Sequence, residues 1–178
     1  SGPQINLKSI IKSKQFIFLN TSIALRSWCY CALVVFLPLL LTDHGYSTVE
    51  SGLALMCLLV GTVFGGLATG GLSDKFGLKS LIISTYIVTI IALGFFLWRL
   101  DISFLSMVAL FLAGAGMYGS TPAAIVWAQR LLPRNAAFAA SMMLGFTFGM
   151  GYVESVITGF VGDIFGLRIG MIATIFPA

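Results

Sequence analysis

Two ionisable side chains stand inside long uncharged, apolar stretches: Arg26, alone among residues 16–41, and Glu154, alone among residues 135–162. A charge at the centre of a membrane helix costs about 2.5–3.5 kcal/mol on insertion scales, so such residues are functional candidates by default. Ten residues at about 1.5 Å each place Arg26 roughly 15 Å below Phe16, near the middle of a ~30 Å hydrocarbon core. Its planar guanidinium suits a carboxylate or phosphonate group bidentately. The alternatives are a structural pair with a helix end or carboxylate, or a position nearer the boundary than the count suggests. Glu154 lies nine residues before Asp163, about 13 Å from that helix end. It reads as a proton site or a counter-ion to Arg26, or as a permanently ionised residue lining a cavity. If the two share a cavity at similar depth, protonating Glu154 frees Arg26 for an anion, and the exchange is antiport in character.

The elements that must carry these charges follow from composition. With 58% hydrophobic and 9% charged residues and a mean hydropathy of +1.03, the 178-residue chain lacks the polar surface of a water-soluble domain. It reads as an all-α integral membrane protein. Apolar runs cover about 16–41, 51–73, 80–98, 104–129 and 136–161, and a sixth begins at Ile169 and reaches only halfway across by Ala178. Residues 1–15 form a cytoplasmic linker and juxtamembrane segment whose Lys8 and Lys12 suit inner headgroups. Period-two alternation is absent from the long runs, which argues against a β-barrel. Glycines at small-xxx-small spacing, Gly61 with Gly65 and Gly145 with Gly149, are expected at helix contacts.

Orientation follows from the basic residues. With a cytoplasmic N-terminus, Lys8, Lys12, Lys14, Lys75, Lys79, Arg130 and Arg134 fall inside and only Arg99 and Arg168 outside. The expectation is a multi-pass protein of the inner (cytoplasmic) membrane. His44, the one histidine, reads as a solvated residue of the outer turn. Cys29 and Cys31 point to nearly opposite helix faces, so neither a disulfide nor a metal pair is expected. No catalytic set, metal site or cofactor site emerges, the net charge of +4 says little about nucleic acid, and an enzyme is not expected.

Charge returns in the stretch GGLSDKFGLK, residues 70–79, and GFVGDIFGLR, residues 159–168, repeats it 89 residues later. Gly70 matches Gly159, Asp74 matches Asp163, Phe76-Gly77-Leu78 matches Phe165-Gly166-Leu167, and Lys79 matches Arg168. Each copy follows the second span of a group of three. The chain therefore reads as two inverted three-helix repeats, about 16–98 and 104–178, with the last helix truncated; inverted repeats mark transporters. Gly70 and Gly77 permit a tight turn, Asp74 can cap a helix N-terminus, and Lys75 and Lys79 hold the segment at anionic headgroups. Such a contact serves as a conformational latch.

GGLSDKFGLK resembles the signature loop of the major facilitator superfamily, a pattern of Gly, any, Leu, small, Asp, basic, any, Gly, basic, basic. Gly70, Leu72, Ser73, Asp74, Lys75, Gly77 and Lys79 match it, while Leu78 stands where a basic residue is usual. LRSWCYCALVVFLPLLLTDHGYS, AQRLLPRNAAFAASMMLGFTFGMG and the Gly-Asp closing the fifth span are similar to the carboxy-terminal half of fosmidomycin resistance family transporters. This resemblance implies a six-span half of a major facilitator fold. It implies proton-coupled efflux of small drugs or metabolites by alternating access; uptake of a small organic anion, or a non-transporting scaffold or sensor on the same fold, are the alternatives. It also implies that the first and fourth helices line the cavity, which makes Arg26, Tyr30, Tyr118, Trp127 and Gln129 lining candidates, with Pro122 a kink that frees a carbonyl. The partners implied are membrane lipid, protons, a small-molecule substrate, and a missing amino-terminal half or a second copy.

Overall fold

The computed structural model describes residues 14–166 and Ile169, except the side chains of Ser73, Asp74, Ser120 and Arg134. The juxtamembrane lysines Lys8 and Lys12, Arg168, and the sixth span beyond Ile169 lie outside the described residues. Within them the chain forms five long helices, α1 (Lys14–Asp43), α2 (Thr48–Phe76), α3 (Leu78–Arg99), α4 (Phe104–Leu131) and α5 (Ala136–Phe165), with a single 3-10 turn at Pro133–Asn135. All five are long and apolar enough to cross a membrane. The chain is an all-helical, multi-pass membrane protein.

Helices are the form that a lipid solvent permits, since each satisfies its own backbone groups. Their ends carry explicit stops. His44 closes α1 by donating its backbone N–H to the carbonyls of Leu40 and Leu41, and its exposed ring holds Nδ1 2.8 Å from the Leu40 carbonyl. Ser47 then caps α2: its hydroxyl accepts from the Glu50 N–H, and its own N–H donates to Glu50 Oε2 at 2.8 Å, a reciprocal capping box. Ser103 caps α4 by accepting from the Ser106 N–H. Asp101 reinforces that start by accepting from Arg99, from Ser103 and, in a short contact, from Ser106.

Packing follows the repeat. The most extensive contact joins α2 to α4, α3 also lies along α4, and α1 pairs chiefly with α5. Exchanging the first helix with the fourth and the second with the fifth turns the α2–α4 pair into the α5–α1 pair. Small residues set these distances. At Gly61 and Gly65 an added Cβ would collide with the backbone of Phe111 and Ala115, and at Gly114 with that of Leu58. By contrast, Gly145 and Gly149 face open space, so the contact expected of them is made elsewhere on α5, where a Cβ at Gly151 would strike Cys31 Sγ. The shift of two residues puts Gly151, Glu154 and Thr158 on the face turned to α1 and leaves the other face uncovered.

Two apolar cores result. One, toward the C-terminal end of α1, combines Leu33, Leu37 and Leu40 with Leu58, Phe96 and Leu110; the other, toward its N-terminal end, combines Phe16, Leu19 and Ile23 with Ala124, Ala128 and Met143. Between Ile23 and Cys29, at the waist separating the cores, α1 carries Arg26.

Candidate functional site: a polar waist around Arg26

Arg26 is 4% exposed. Its Nη2 donates to Thr121 Oγ1 of α4 at 2.7 Å, and its guanidinium carbon stands 5.7 Å from the centre of the Tyr86 ring on α3. Nη1 is buried and has no hydrogen-bond partner. A buried cation held by one neutral hydroxyl and one aromatic face is under-satisfied, because burial of a charge is costly unless it is paired and fully hydrogen-bonded. The unused N–H groups belong to a planar fork that matches a carboxylate.

The neighbours extend the polar belt. The Tyr86 hydroxyl donates to the Ser22 carbonyl at 2.8 Å and lies 2.9 Å from the Ser22 hydroxyl, fixing the ring beneath the guanidinium. One turn beyond Arg26, the rings of Tyr30 and Tyr118 meet at 5.4 Å and 51°, the tilted arrangement that aromatic quadrupoles favour. Pro122 sits inside α4 and cannot donate to the carbonyl of Tyr118. Arg26, Tyr30 and Tyr118 thus lie in one belt.

Trp127 and Gln129 are not part of that belt. They lie about 9 and 12 Å along α4 from Thr121, toward its C-terminal end. Trp127 instead borders a cavity of about 540 Å³ between α1 and α3, with Phe18, Ser22, Tyr86 and Lys79 among its other walls. Gln129 is half-buried. Tyr86 and Ser22 were not legible as site residues: Tyr86 stands in a span with several other hydroxyls, and nothing in the sequence orders α3 beside α1 at this depth. Thr121 carried the one available signal, a hydroxyl beside a helix proline.

Glu154 is fully buried on α5 and accepts hydrogen bonds from Thr158, in a short contact, and from Ser155 at 3.4 Å. It does not pair with Arg26. Among the described residues the ion pair present is Arg99–Asp101, at 2.9 Å in the turn between α3 and α4. The expectation of comparable depth is corrected by the register of α1 against α5. Gly151 lies level with Ser27 and Cys31, so Glu154, three residues further along α5, stands about 9 Å beyond Arg26 along the axis. Arg26 also points toward α3 and α4, whereas Glu154 faces α1. Each charge is answered by hydroxyls of its own neighbourhood.

The signature segment is mostly helix. α2 continues through Phe76, so Gly70 is helical, and the chain turns at Gly77 alone, with φ 76° and ψ 141°. Lys75 and Lys79 are exposed. The Asp74 side chain, on which the latch reading depends, lies outside the described residues. Asp163, its counterpart, is exposed at the end of α5. Cys29, Cys31 and Cys57 are free thiols.

The family description for the Major Facilitator Superfamily matches residues 2–154. The chain is similar to the niacin transporter NiaP of Acinetobacter baylyi, 25% identical over 140 residues that cover 78% of this chain and 32% of that protein. The chain therefore spans about a third of the relative it matches. With most of its length matched by the family description, and with five membrane-crossing helices packed as inverted repeats, the chain belongs to the major facilitator superfamily.

Proposed function

We propose that the chain forms part of a secondary active transporter that moves a small organic anion across the inner membrane by alternating access, with Arg26 as the anion-binding group. The observation that carries this reading is the buried, unpartnered Nη1 of Arg26 at the waist between the two cores. Niacin, the substrate in the relative's name, is an aromatic carboxylate, a group that a guanidinium fork accepts bidentately. Tyr30 and Tyr118 supply aromatic surface beside it. The working protein includes a second six-helix half, either an amino-terminal half or another copy of this chain, and the N-terminus of this chain is cytoplasmic.

The likeness to fosmidomycin resistance transporters favours export in exchange for protons, with Glu154 as the proton-carrying residue and Asp74 as a latch whose Asn variant cycles slowly. Uptake is a second reading, favoured by the separation of Glu154 from Arg26. Proton and anion then occupy different places and need not displace one another. Flux of labelled nicotinate into right-side-out and inside-out vesicles, with and without an imposed proton gradient, separates the two. Movement from the cytoplasmic face that collapses with the gradient supports export, accumulation in the opposite sense supports uptake, and no Arg26-dependent flux in either direction removes the transporter reading in favour of a scaffold.

A further inference from the structure

Nη1 of Arg26 is sealed: neither solvent nor another polar atom of the protein touches it. An anion can reach it only if the guanidinium leaves its seat against Thr121 and Tyr86, or if α1 and α4 part. In either case the Arg26–Thr121 hydrogen bond is disturbed. That bond crosses the boundary between the α1–α5 pair and the α2–α3–α4 group, where α1 meets α4 and α2, and α5 meets α4, each less extensively than α1 meets α5 or α4 meets α2 and α3. At the waist this boundary is bridged by the Arg26–Thr121 bond and the Tyr30–Tyr118 ring contact. One turn below, the Tyr86 hydroxyl on α3 also bonds Ser22 of α1, a contact to the backbone that an anion at Arg26 leaves in place.

We propose that Arg26 and Thr121 form an anion-released clasp between the α1–α5 pair and the α2–α3–α4 group. Without ligand, Thr121 holds Arg26 and the waist is closed. A carboxylate offers a bidentate pair of bonds to an opposite charge in place of one bond to a neutral hydroxyl. Arg26 transfers to the anion, and α1 loosens from α4. Occupancy of the site is thereby coupled to a movement inside this half of the molecule. Thr121 is a positioning residue in this scheme, acting through Arg26. The proposal rests on the anion-binding role of Arg26 given above.

A clasp that must open before binding lowers the apparent affinity, since only the open fraction binds. Removing the acceptor should therefore strengthen binding, the reverse of what loss of a substrate contact does. The test uses the protein reconstituted in phospholipid vesicles with nicotinate as the probe, and benzoate and methylphosphonate as further anions. Thr121→Val should bind nicotinate on the order of tenfold more tightly than wild type, and Thr121→Ser, which restores an acceptor, should return the affinity toward the wild-type value. Amide exchange in residues 22–30 should rise with nicotinate in wild type and be already raised in unliganded Thr121→Val. Equal or weaker binding by Thr121→Val overturns the clasp. If Arg26→Gln then still loses nicotinate, the anion site stands without it; if Arg26→Gln binds as well as wild type, or if no form binds any of the three anions, the anion reading falls and takes the clasp with it.

Discussion

Gly77 and Gly166 hold the same backbone conformation, φ 76° with ψ 141° and φ 90° with ψ 147°, each directly after a phenylalanine that ends a helix. Residues with a Cβ rarely adopt this region, so the repeated Phe-Gly is a repeated backbone joint. The equivalence of the α2–α4 and α5–α1 pairs is its counterpart in packing.

Gly77→Ala should destabilise the protein by about 1–3 kcal/mol, because an L side chain is strained at that φ. Gly71→Ala, inside α2 with open space at its Cβ position, should be neutral or stabilising by up to about 1 kcal/mol through helix propensity. Thermal unfolding in detergent compares the two. Similar melting temperatures for both variants would mean that the joint at Gly77 carries no conformational strain.

Helix contacts give a second contrast. Gly65→Ala drives a methyl into the Ala115 backbone, and the enforced shift of α2 from α4 should cost about 1–3 kcal/mol. Gly149→Ala places its methyl in open space and should change stability by less than about 0.5 kcal/mol. The steric account does not survive if the two lose stability equally.

In the turn between α3 and α4, the Asp101 carboxyl is pulled down to about 2, first by the hydrogen bond from Ser106, then by those from Ser103 and Arg99 and by the Arg99 charge. An unfolded aspartate titrates near 3.9. The depressed value means that the stabilising contribution is fully present above about pH 4 and is lost as pH falls toward 2. Asp101→Asn should lower stability at pH 6 and flatten its decline between pH 4 and pH 2. An unchanged pH profile in the variant would assign that decline to other groups.

For coupling, Glu154→Gln should preserve the fold, since the amide oxygen still accepts from Thr158, and should abolish gradient-driven flux while leaving nicotinate exchange intact. Arg26→Lys should weaken anion binding without altering the proton response, because the two sites are separate. Counterflow and gradient-driven uptake in vesicles read the two activities independently. Undiminished gradient-driven flux in Glu154→Gln would place the proton path elsewhere.

Much of the architecture was legible in the linear chain because a bilayer restricts the choices. Long uncharged runs must be helices, their number follows from length, and the doubled Phe-Gly falls at two helix ends of like backbone conformation. The same reasoning singled out Arg26 and Glu154, since charge in an apolar span needs a cause wherever the span packs. Partnership was not legible. Whether Arg26 meets Glu154 depends on the axial register of α1 against α5, which the collision distance at Gly151 decides, and on the direction of a flexible side chain among three neighbouring helices. Tertiary packing instead gave Arg26 to Thr121 and Tyr86 and gave Glu154 to Thr158. Likewise, the paired glycines of α2 and α5 look alike in sequence, yet Gly61 and Gly65 lie against α4 and Gly145 and Gly149 do not lie against α1. A helix of nearly uniform hydrophobicity announces that it is buried in lipid or protein, but not which face is turned to which.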